Sequence, residues 1–176
     1  SLLVFYLNTI PEKGDRGEDF RILPKREMVR DEPLLDNLIR DIRTRQRLIK
    51  ELLEEDEAEP CSFVGSVSIE NGPSSVSKKI ISELGFQLDQ FRNQKDVEQA
   101  FSYLRQCVEK SGIFVYLAGN LGSHHTAIPV ESFRGFAIAD ELAPFIAIND
   151  GDARTAWSFT LLHEVVHIWL GTTGIS

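Results

Sequence analysis

The chain has 176 residues, with 27 acidic against 19 basic side chains and a formal net charge of −8 at pH 7. This charge disfavours direct nucleic-acid binding by this segment, because a phosphate backbone attracts basic surfaces. No run approaches the ~20 apolar residues of a membrane span, and apolar residues 2–7 lack the flanks of a signal peptide. Cys61 and Cys107 have no zinc-type spacing. We therefore expect a cytoplasmic protein without a membrane segment.

The first third of the chain predicts a strand, an arm and one long helix. Residues 2–7 are a short strand candidate, and residues 11–19 are an extended arm rich in Pro, Gly and charge. Leu and Ile then recur at helical spacing from residue 31 to about residue 58, with Pro33 in the first turn. This helix is either a solvated surface helix or one that docks a partner or another domain.

The remaining two thirds predict shorter helices and strands. Residues 59–71 read as irregular or partly extended, and residues 119–128 as a loop. Two helices are predicted over 72–84 and 96–110, and three strands over 113–117, 133–139 and 144–149. A last helix follows, with Asn149 or Asp150 as its N-cap. This order predicts an α+β fold, with a small three-stranded sheet packed on helices that include the last one, plus the long N-terminal helix.

The last helix contains the pattern His163-Glu164-Val165-Val166-His167 within a run that is apolar nearly all round. Residues i and i+4 of a helix lie about 40° apart around its axis and ~6 Å apart along it, so both imidazoles can close on one metal ion. Glu164 can reach a metal-bound water without ligating the metal, as a general base must. Three ionisable groups in a core helix either hydrogen-bond one another or hold a metal. We favour a zinc site with His163 and His167 as ligands and Glu164 as the catalytic base.

Several stretches of the chain resemble the ImmA/IrrE metallopeptidases, a gluzincin-like family. The segment Phe159-Thr-Leu-Leu-His-Glu-Val-Val-His167 is similar to the family core, and Phe133-Arg-Gly-Phe136 with Ala143-Pro-Phe-Ile-Ala-Ile-Asn149 is similar to the paired strands before it. Gly112-Ile-Phe-Val115 and Gly17-Glu-Asp-Phe-Arg21 fit as well. The likeness covers roughly residues 75–176 well and the first 70 loosely. It implies a zincin-like fold, a Zn²⁺ cofactor and cleavage of one protein partner, often a helix-turn-helix repressor.

The resemblance also implies a third zinc ligand, an acidic residue on a helix some tens of residues after the second His. The chain ends at Ser176, nine residues after His167, and begins at Ser1. We therefore expect a fragment of a longer protein that carries an N-terminal helix-turn-helix domain. Within it, residues 1–70 are interpreted as an arm and accessory helix, and residues 71–176 as a C-terminally incomplete peptidase domain.

Other residues are weaker candidates for the site. His124 and His125 either reach the rim of the site, where they can hydrogen-bond a tetrahedral intermediate, or are solvated loop residues. Ile146, Ala147 and Ile148 are expected to form an exposed edge strand that pairs with an extended substrate, or an ordinary core strand. Further structural expectations are core packing for Trp157 and Trp169, and an ion pair between Arg134 and an acid such as Asp140, unless Arg134 touches substrate.

These patterns lead to a zinc-dependent endopeptidase that cleaves a specific protein partner, with a transcriptional repressor as the target that the resemblance implies. The alternative is a non-catalytic regulatory or binding module that retains the peptidase fold. A third option is a self-cleaving protein. The sequence carries no signal for oligomeric state.

Overall fold

A computed structural model describes residues 32–175, which form a mixed α+β fold of five α-helices and one four-stranded sheet. The predicted strand at residues 2–7 and the arm at 11–19 lie outside the described residues. The α-helices are α1 (Glu32–Glu55), α2 (Pro73–Leu84), α3 (Leu88–Arg92), α4 (Val97–Lys110) and α5 (Arg154–Leu170). The strands are β1 (Phe114–Leu117), β2 (Gly135–Ile138), β3 (Phe145–Ile148) and β4 (Gly174–Ile175).

The sheet has the strand order β1-β3-β2-β4. β1 runs parallel to β3, whereas β2 is antiparallel to both β3 and β4. The three predicted strands are all present, and β4 is a fourth that the sequence did not reveal. Its two residues are too few to show an alternating pattern.

The two faces of the sheet carry different helices, because successive side chains of a strand point to opposite sides. Ile146 and Ile148 of β3 lie in one core cluster with buried side chains of α2, α4 and α5. Phe145 and Ala147 of the same strand lie in a second cluster with buried side chains of α1. The sheet is therefore the middle of three layers, which explains why all of β3 is buried.

Helix α1 lies on the sheet through one apolar stripe. Leu35, Leu38, Ile39 and Ile42 are at most 6% exposed and recur at the three- and four-residue spacing of one helix face. Burying side chains of this kind stabilises a fold by about 1.5–3 kcal/mol each. Helix α1 is therefore packed on the sheet of the same chain through this stripe, whereas its docking onto a partner or another domain remains a prediction. The boundary between residues 70 and 71 remains a prediction.

The ends of the middle helices follow their capping residues. Gly85 ends α2 in the left-handed conformation at φ 60°, and the Asp96 carboxylate accepts a hydrogen bond from the Gln99 amide at the start of α4. Both helices were predicted to within a residue. The five-residue α3 was not, since a single turn carries too little periodicity.

The connection between α1 and α2 is attached to the C-terminal end of α5. The Gly65 and Val67 amides donate to the Ile168 and Trp169 carbonyls at 3.1 Å each. A Cβ at Gly171 would lie 3.0 Å from the Gly65 Cα, so two glycine backbones meet here. Between residues 32 and 175 no helix combines the length and apolar composition that a bilayer crossing requires.

A salt bridge joins α1 to the β2–β3 loop. The Lys50 ammonium lies 2.6 Å from the Asp140 carboxylate, which also accepts from the Leu142 and Ala143 amides. Burial disfavours the charged carboxylate, but the bonds from Lys50 and the two amides outweigh it and lower the pKa of Asp140. The hydrogen bond to Asp140 raises the pKa of Lys50. Asp140 therefore pairs with Lys50, and the predicted Arg134–Asp140 pair is wrong.

We expect Asp140→Asn to lower the free energy of unfolding by about 1 kcal/mol at pH 7, because it removes the charge from a partly buried hydrogen-bonded pair. The folded-state pKa of Asp140 lies below the usual 3.8, so its contribution is present above about pH 4 and is lost as pH falls through that lower pKa. The raised pKa of Lys50 sets the alkaline limit, above 10.5. Urea unfolding of the wild type and the variant at pH 7 and at a series of lower pH values measures the loss in unfolding free energy and its decrease in acid.

Asp41→Asn is the control for this variant, since Asp41 pairs with Arg45 at 2.7 Å on the exposed side of the same helix. An exposed pair of this kind contributes at most about 0.5 kcal/mol. Equal losses in the two variants at pH 7, or a loss in Asp140→Asn that does not decrease as the pH falls below 3.8, would contradict the assignment.

Candidate metal centre and its surroundings

Helix α5 is buried on one side only. Leu161, Val165 and Ile168 are fully buried against the sheet, whereas Phe159 is 65% exposed, and Leu162 and Val166 are 39% and 37% exposed. The expectation of a helix buried nearly all round is therefore wrong for its outer face. That face presents an apolar stripe at helical spacing, and half-buried His163 lies within it.

Both tryptophans of this helix pack as predicted. Trp169 is fully buried, stacks on Phe63 at 4.4 Å between ring centroids, and donates to the Glu83 carboxylate. Trp157 meets the Phe101 ring edge-on at 5.3 Å and donates its indole N–H to the Asp152 carbonyl. These contacts hold α5 near both of its ends, so the motif between them has a fixed position.

The two motif histidines face each other across one helical turn. Their Nε2 atoms are 3.1 Å apart, and their ring centroids are 4.8 Å apart. Two imidazole nitrogens on one tetrahedral zinc, each about 2.0–2.1 Å from it, lie roughly 3.3 Å apart. The observed separation is therefore close to what a shared zinc ion requires, and it is also the length of a hydrogen bond between the two rings. His163 is half-buried and His167 is 3% exposed, so the open side of the pair lies toward His163.

Thr172 orients the second of these histidines. Its hydroxyl lies 2.8 Å from His167 Nδ1 and donates to the His167 carbonyl at 3.3 Å. In the arrangement in which the hydroxyl donates to the carbonyl, the Thr172 oxygen accepts the Nδ1–H of His167. That assignment leaves the Nε2 lone pair of His167 directed at His163, which is the tautomer that a metal ligand needs. Thr172 was not identified from the sequence, although a hydroxyl shortly after an H-E-x-x-H helix is a usable signal.

Glu164 lies on the sheet side of α5 and is fully buried. Its side chain fills the space beside Gly135, where an ideal Cβ would lie 2.5 Å from Oε1 and 2.8 Å from Cγ and Cδ. Only glycine at this first position of β2 leaves room for the carboxylate. Gly135 was noted within a strand pattern, but its relation to Glu164 depends on a tertiary contact that sequence spacing cannot show.

Asn149 fixes the chain that leads into β2. Its amide nitrogen donates to the Ile128 and Phe133 carbonyls at 3.0 and 2.9 Å, and its backbone N–H donates to the Arg134 carbonyl. The expected role of Asn149 or Asp150 as the N-cap of the last helix is wrong, because α5 begins at Arg154 after Ala153. The fully buried Asn149 side chain instead positions the residues just before Gly135.

The remaining candidate residues lie in β3 and in the loop that contains His124 and His125. Ile146, Ala147 and Ile148 are not on an exposed edge, since β3 pairs with β1 on one side and β2 on the other. Their predicted pairing with an extended substrate is therefore wrong, and they form the core strand that was the alternative. His124 and His125 are exposed, with ring centroids 3.8 Å apart. No hydrogen bond or ring contact joins them to the motif residues in the described part of the chain.

The donor set fits zinc in part. His163 and His167 supply two ligand nitrogens of suitable type and separation, and Thr172 supplies the supporting hydrogen bond. Among residues 32–175, however, no group of three or more His, Cys, Asp or Glu side chains is placed to hold a metal ion. A zinc ion at this position therefore needs a further ligand from outside the described residues.

Comparison with known proteins yields no match to a family model, to a curated protein or to a solved structure. The functional interpretation therefore rests on the motif, its geometry and the resemblance carried by the sequence stretches named above.

We expect Thr172→Val to weaken zinc binding by about 10- to 100-fold, because loss of a hydrogen bond to a ligating imidazole typically has this effect. Thr172→Ser should retain most of the affinity. Competition with a fluorescent zinc chelator measures the change. The adjacent Thr173→Val is the control, since that hydroxyl accepts from the Ala139 amide instead. If both valine variants weaken zinc binding equally, Thr172 has no specific effect on the affinity for zinc.

We expect Gly135→Ala to lower the free energy of unfolding by about 1–3 kcal/mol, the usual cost of forcing extra volume into a packed site. The same substitution in a Glu164→Ala background should cost less than about 0.5 kcal/mol, because the atoms that the new Cβ would meet are gone. Urea unfolding of the wild type, the two single variants and the double variant gives the cost of Gly135→Ala in each background. A cost that is the same in both backgrounds would mean that Glu164 does not occupy this space.

Proposed function

We propose that this chain carries the metal-binding and catalytic part of a zinc-dependent endopeptidase. The observation that carries the proposal is the 3.1 Å separation of His163 Nε2 and His167 Nε2 on one face of α5, with Glu164 at the intervening position. Two imidazoles and one carboxylate in this order on a helix form the H-E-x-x-H arrangement of metal-assisted peptide hydrolysis, in which a third protein ligand completes the zinc site.

Each residue has a distinct part in the proposed reaction. Zinc in such a site supplies a Lewis acid that makes water a nucleophile at neutral pH. Thr172 keeps the His167 ring in its ligating orientation. Glu164 accepts a proton as the peptide carbonyl is attacked and passes it to the leaving amine. Gly135 leaves the space in which that carboxylate is accommodated.

The nature of the substrate follows from the resemblance to the ImmA/IrrE metallopeptidases. We propose a protein partner that the enzyme cuts at an accessible linker, with a helix-turn-helix transcriptional repressor as the target class. The enzyme would then act in the cytoplasm, where the free thiols of Cys61 and Cys107 remain reduced. The third zinc ligand would be the acidic residue that the resemblance places after Ser176.

A second candidate function is a non-catalytic module that uses the same fold to bind a partner. It is favoured by the lack of a three-residue ligand group among residues 32–175. It is disfavoured by Glu164, because a zinc ion that only stabilises a fold needs no neighbouring base.

The first experiment measures zinc per chain of the full-length protein by elemental mass spectrometry after equilibration with micromolar zinc. We expect about one zinc in the wild type and in Glu164→Gln, and a loss of zinc in His163→Ala and His167→Ala, since only the imidazoles are ligands. His124→Ala with His125→Ala is the matched control and should retain zinc. Retention of zinc by both single histidine variants of the motif would overturn the site.

The second experiment separates the peptidase from the binding module. Mass spectrometry of newly formed protein N-termini compares cells that produce the wild-type full-length protein with cells that produce Glu164→Gln. A peptidase yields N-termini that are absent from the variant, although the variant still binds zinc. If the two sets of protein N-termini are identical and Glu164→Gln leaves gene expression in the cells unchanged, the non-catalytic module is favoured.

A further inference from the structure

Three arginines follow one another along a single face of α1. Arg40, Arg43 and Arg47 are spaced by three and four residues, which places them on the same side of a helix. Together with Ile138 of β2 and Thr173, which follows α5, they line a groove of about 650 Å³. We call this row of three residues the arginine face.

The charges of the two outer arginines of this face are not neutralised by ion pairs within residues 32–175. Arg40 and Arg47 are exposed, and neither makes an ion pair with any carboxylate between residues 32 and 175. By contrast, Arg45 on another side of α1 bonds Asp41 at 2.7 Å. Arg43, between the outer two, is half-buried, with its guanidinium 6.0 Å from the centroid of the Phe136 ring. Within residues 32–175, therefore, two exposed guanidinium groups have no carboxylate partner, although the chain as a whole is acidic, with a net charge of −8.

The groove is continuous with the elements that carry the motif. Thr173 follows Thr172, whose hydroxyl bonds His167, and its own hydroxyl accepts from the Ala139 amide at the end of β2. β2 also begins at Gly135, against which Glu164 packs. A chain held along the arginine face would therefore lie beside the edge of the sheet that leads to the candidate metal centre.

We infer that the arginine face binds an acidic segment of a protein partner. From Arg40 to Arg47 the helix rises about 10 Å, which matches three to four residues of an extended peptide at ~3.3 Å each. Guanidinium groups bind carboxylates with charge-assisted, often bidentate hydrogen bonds. Nucleic acid is the less suitable partner, because its phosphate charge extends far beyond the ~10 Å of the arginine face and would meet the acidic remainder of the chain, whereas a short acidic segment would not. Identifying the acidic partner as the substrate rests on the proposed function, whereas the binding itself does not.

The test is fluorescence anisotropy with the full chain and a labelled peptide of six consecutive glutamates flanked by glycines. We expect saturable binding that weakens at least tenfold between 50 and 300 mM NaCl. Arg40→Gln with Arg47→Gln should weaken binding at least tenfold, and each single variant by an intermediate factor. Arg92→Gln with Lys95→Gln removes the same charge from exposed positions elsewhere and should change affinity less than twofold.

Several results would overturn the inference. These are the absence of saturable binding to the wild type, equal weakening by the two double variants, or tighter binding of a labelled ten-residue oligothymidylate than of the peptide. Circular dichroism melting establishes that the arginine variants are folded, and the single variants carry the test if the double variant is not. Peptide binding should be unchanged by Glu164→Gln and by a zinc chelator. If the protein binds the acidic peptide but does not bind zinc, the inference about the arginine face is supported and only the peptidase proposal is contradicted.

Discussion

The arrangement of the candidate site depends on one constraint, the four-residue spacing of His163 and His167 on a rigid helix. This spacing brings their Nε2 atoms to 3.1 Å without any contribution from distant parts of the chain. What the rest of the fold must supply is rigidity, because a pair of rings that rotates freely loses conformational entropy on closing around an ion. Packing of α5 against the sheet and the Thr172 hydrogen bond both reduce that loss.

The rigidity of α5 comes from contacts at several points along its length. At its C-terminal end, the Gly65 and Val67 amides satisfy the Ile168 and Trp169 carbonyls. Gly171 ends the helix in the left-handed conformation at φ 70°, which turns the chain so that Thr172 reaches back to His167. The same turn leads directly into β4 on the edge of the sheet. The end of the helix, the orientation of one imidazole and the position of an edge strand therefore share one backbone turn.

Local patterns predicted most of the elements because their causes are local. Periodic Leu and Ile residues, the Asp96 cap and the Gly85 stop each act within a few residues, and the elements that they specify are present. Strand order depends on contacts between residues far apart in the chain, which is why β3 was assigned to an edge although it lies inside the sheet. The predicted N-cap of α5 is wrong because both ends of the Asn149 side-chain amide have other partners. Its nitrogen donates to the Ile128 and Phe133 carbonyls, which are remote in sequence, and its oxygen, the atom that would cap a helix, accepts from the Gly151 amide.

The site shows the same division between local and non-local causes. His163, Glu164 and His167 are apparent from spacing alone, whereas Gly135 matters only because β2 passes beside Glu164. Thr172 is intermediate, since it is near in sequence but acts through a backbone turn.

The arginine face adds a non-local element of another kind. From the sequence alone, its three arginines suggest a solvated helix surface. They line a groove because α1 lies on the sheet near Ile138 and Thr173. Docking of α1 therefore does more than bury four apolar side chains, since it brings a basic surface to the edge of the sheet on which the motif helix packs.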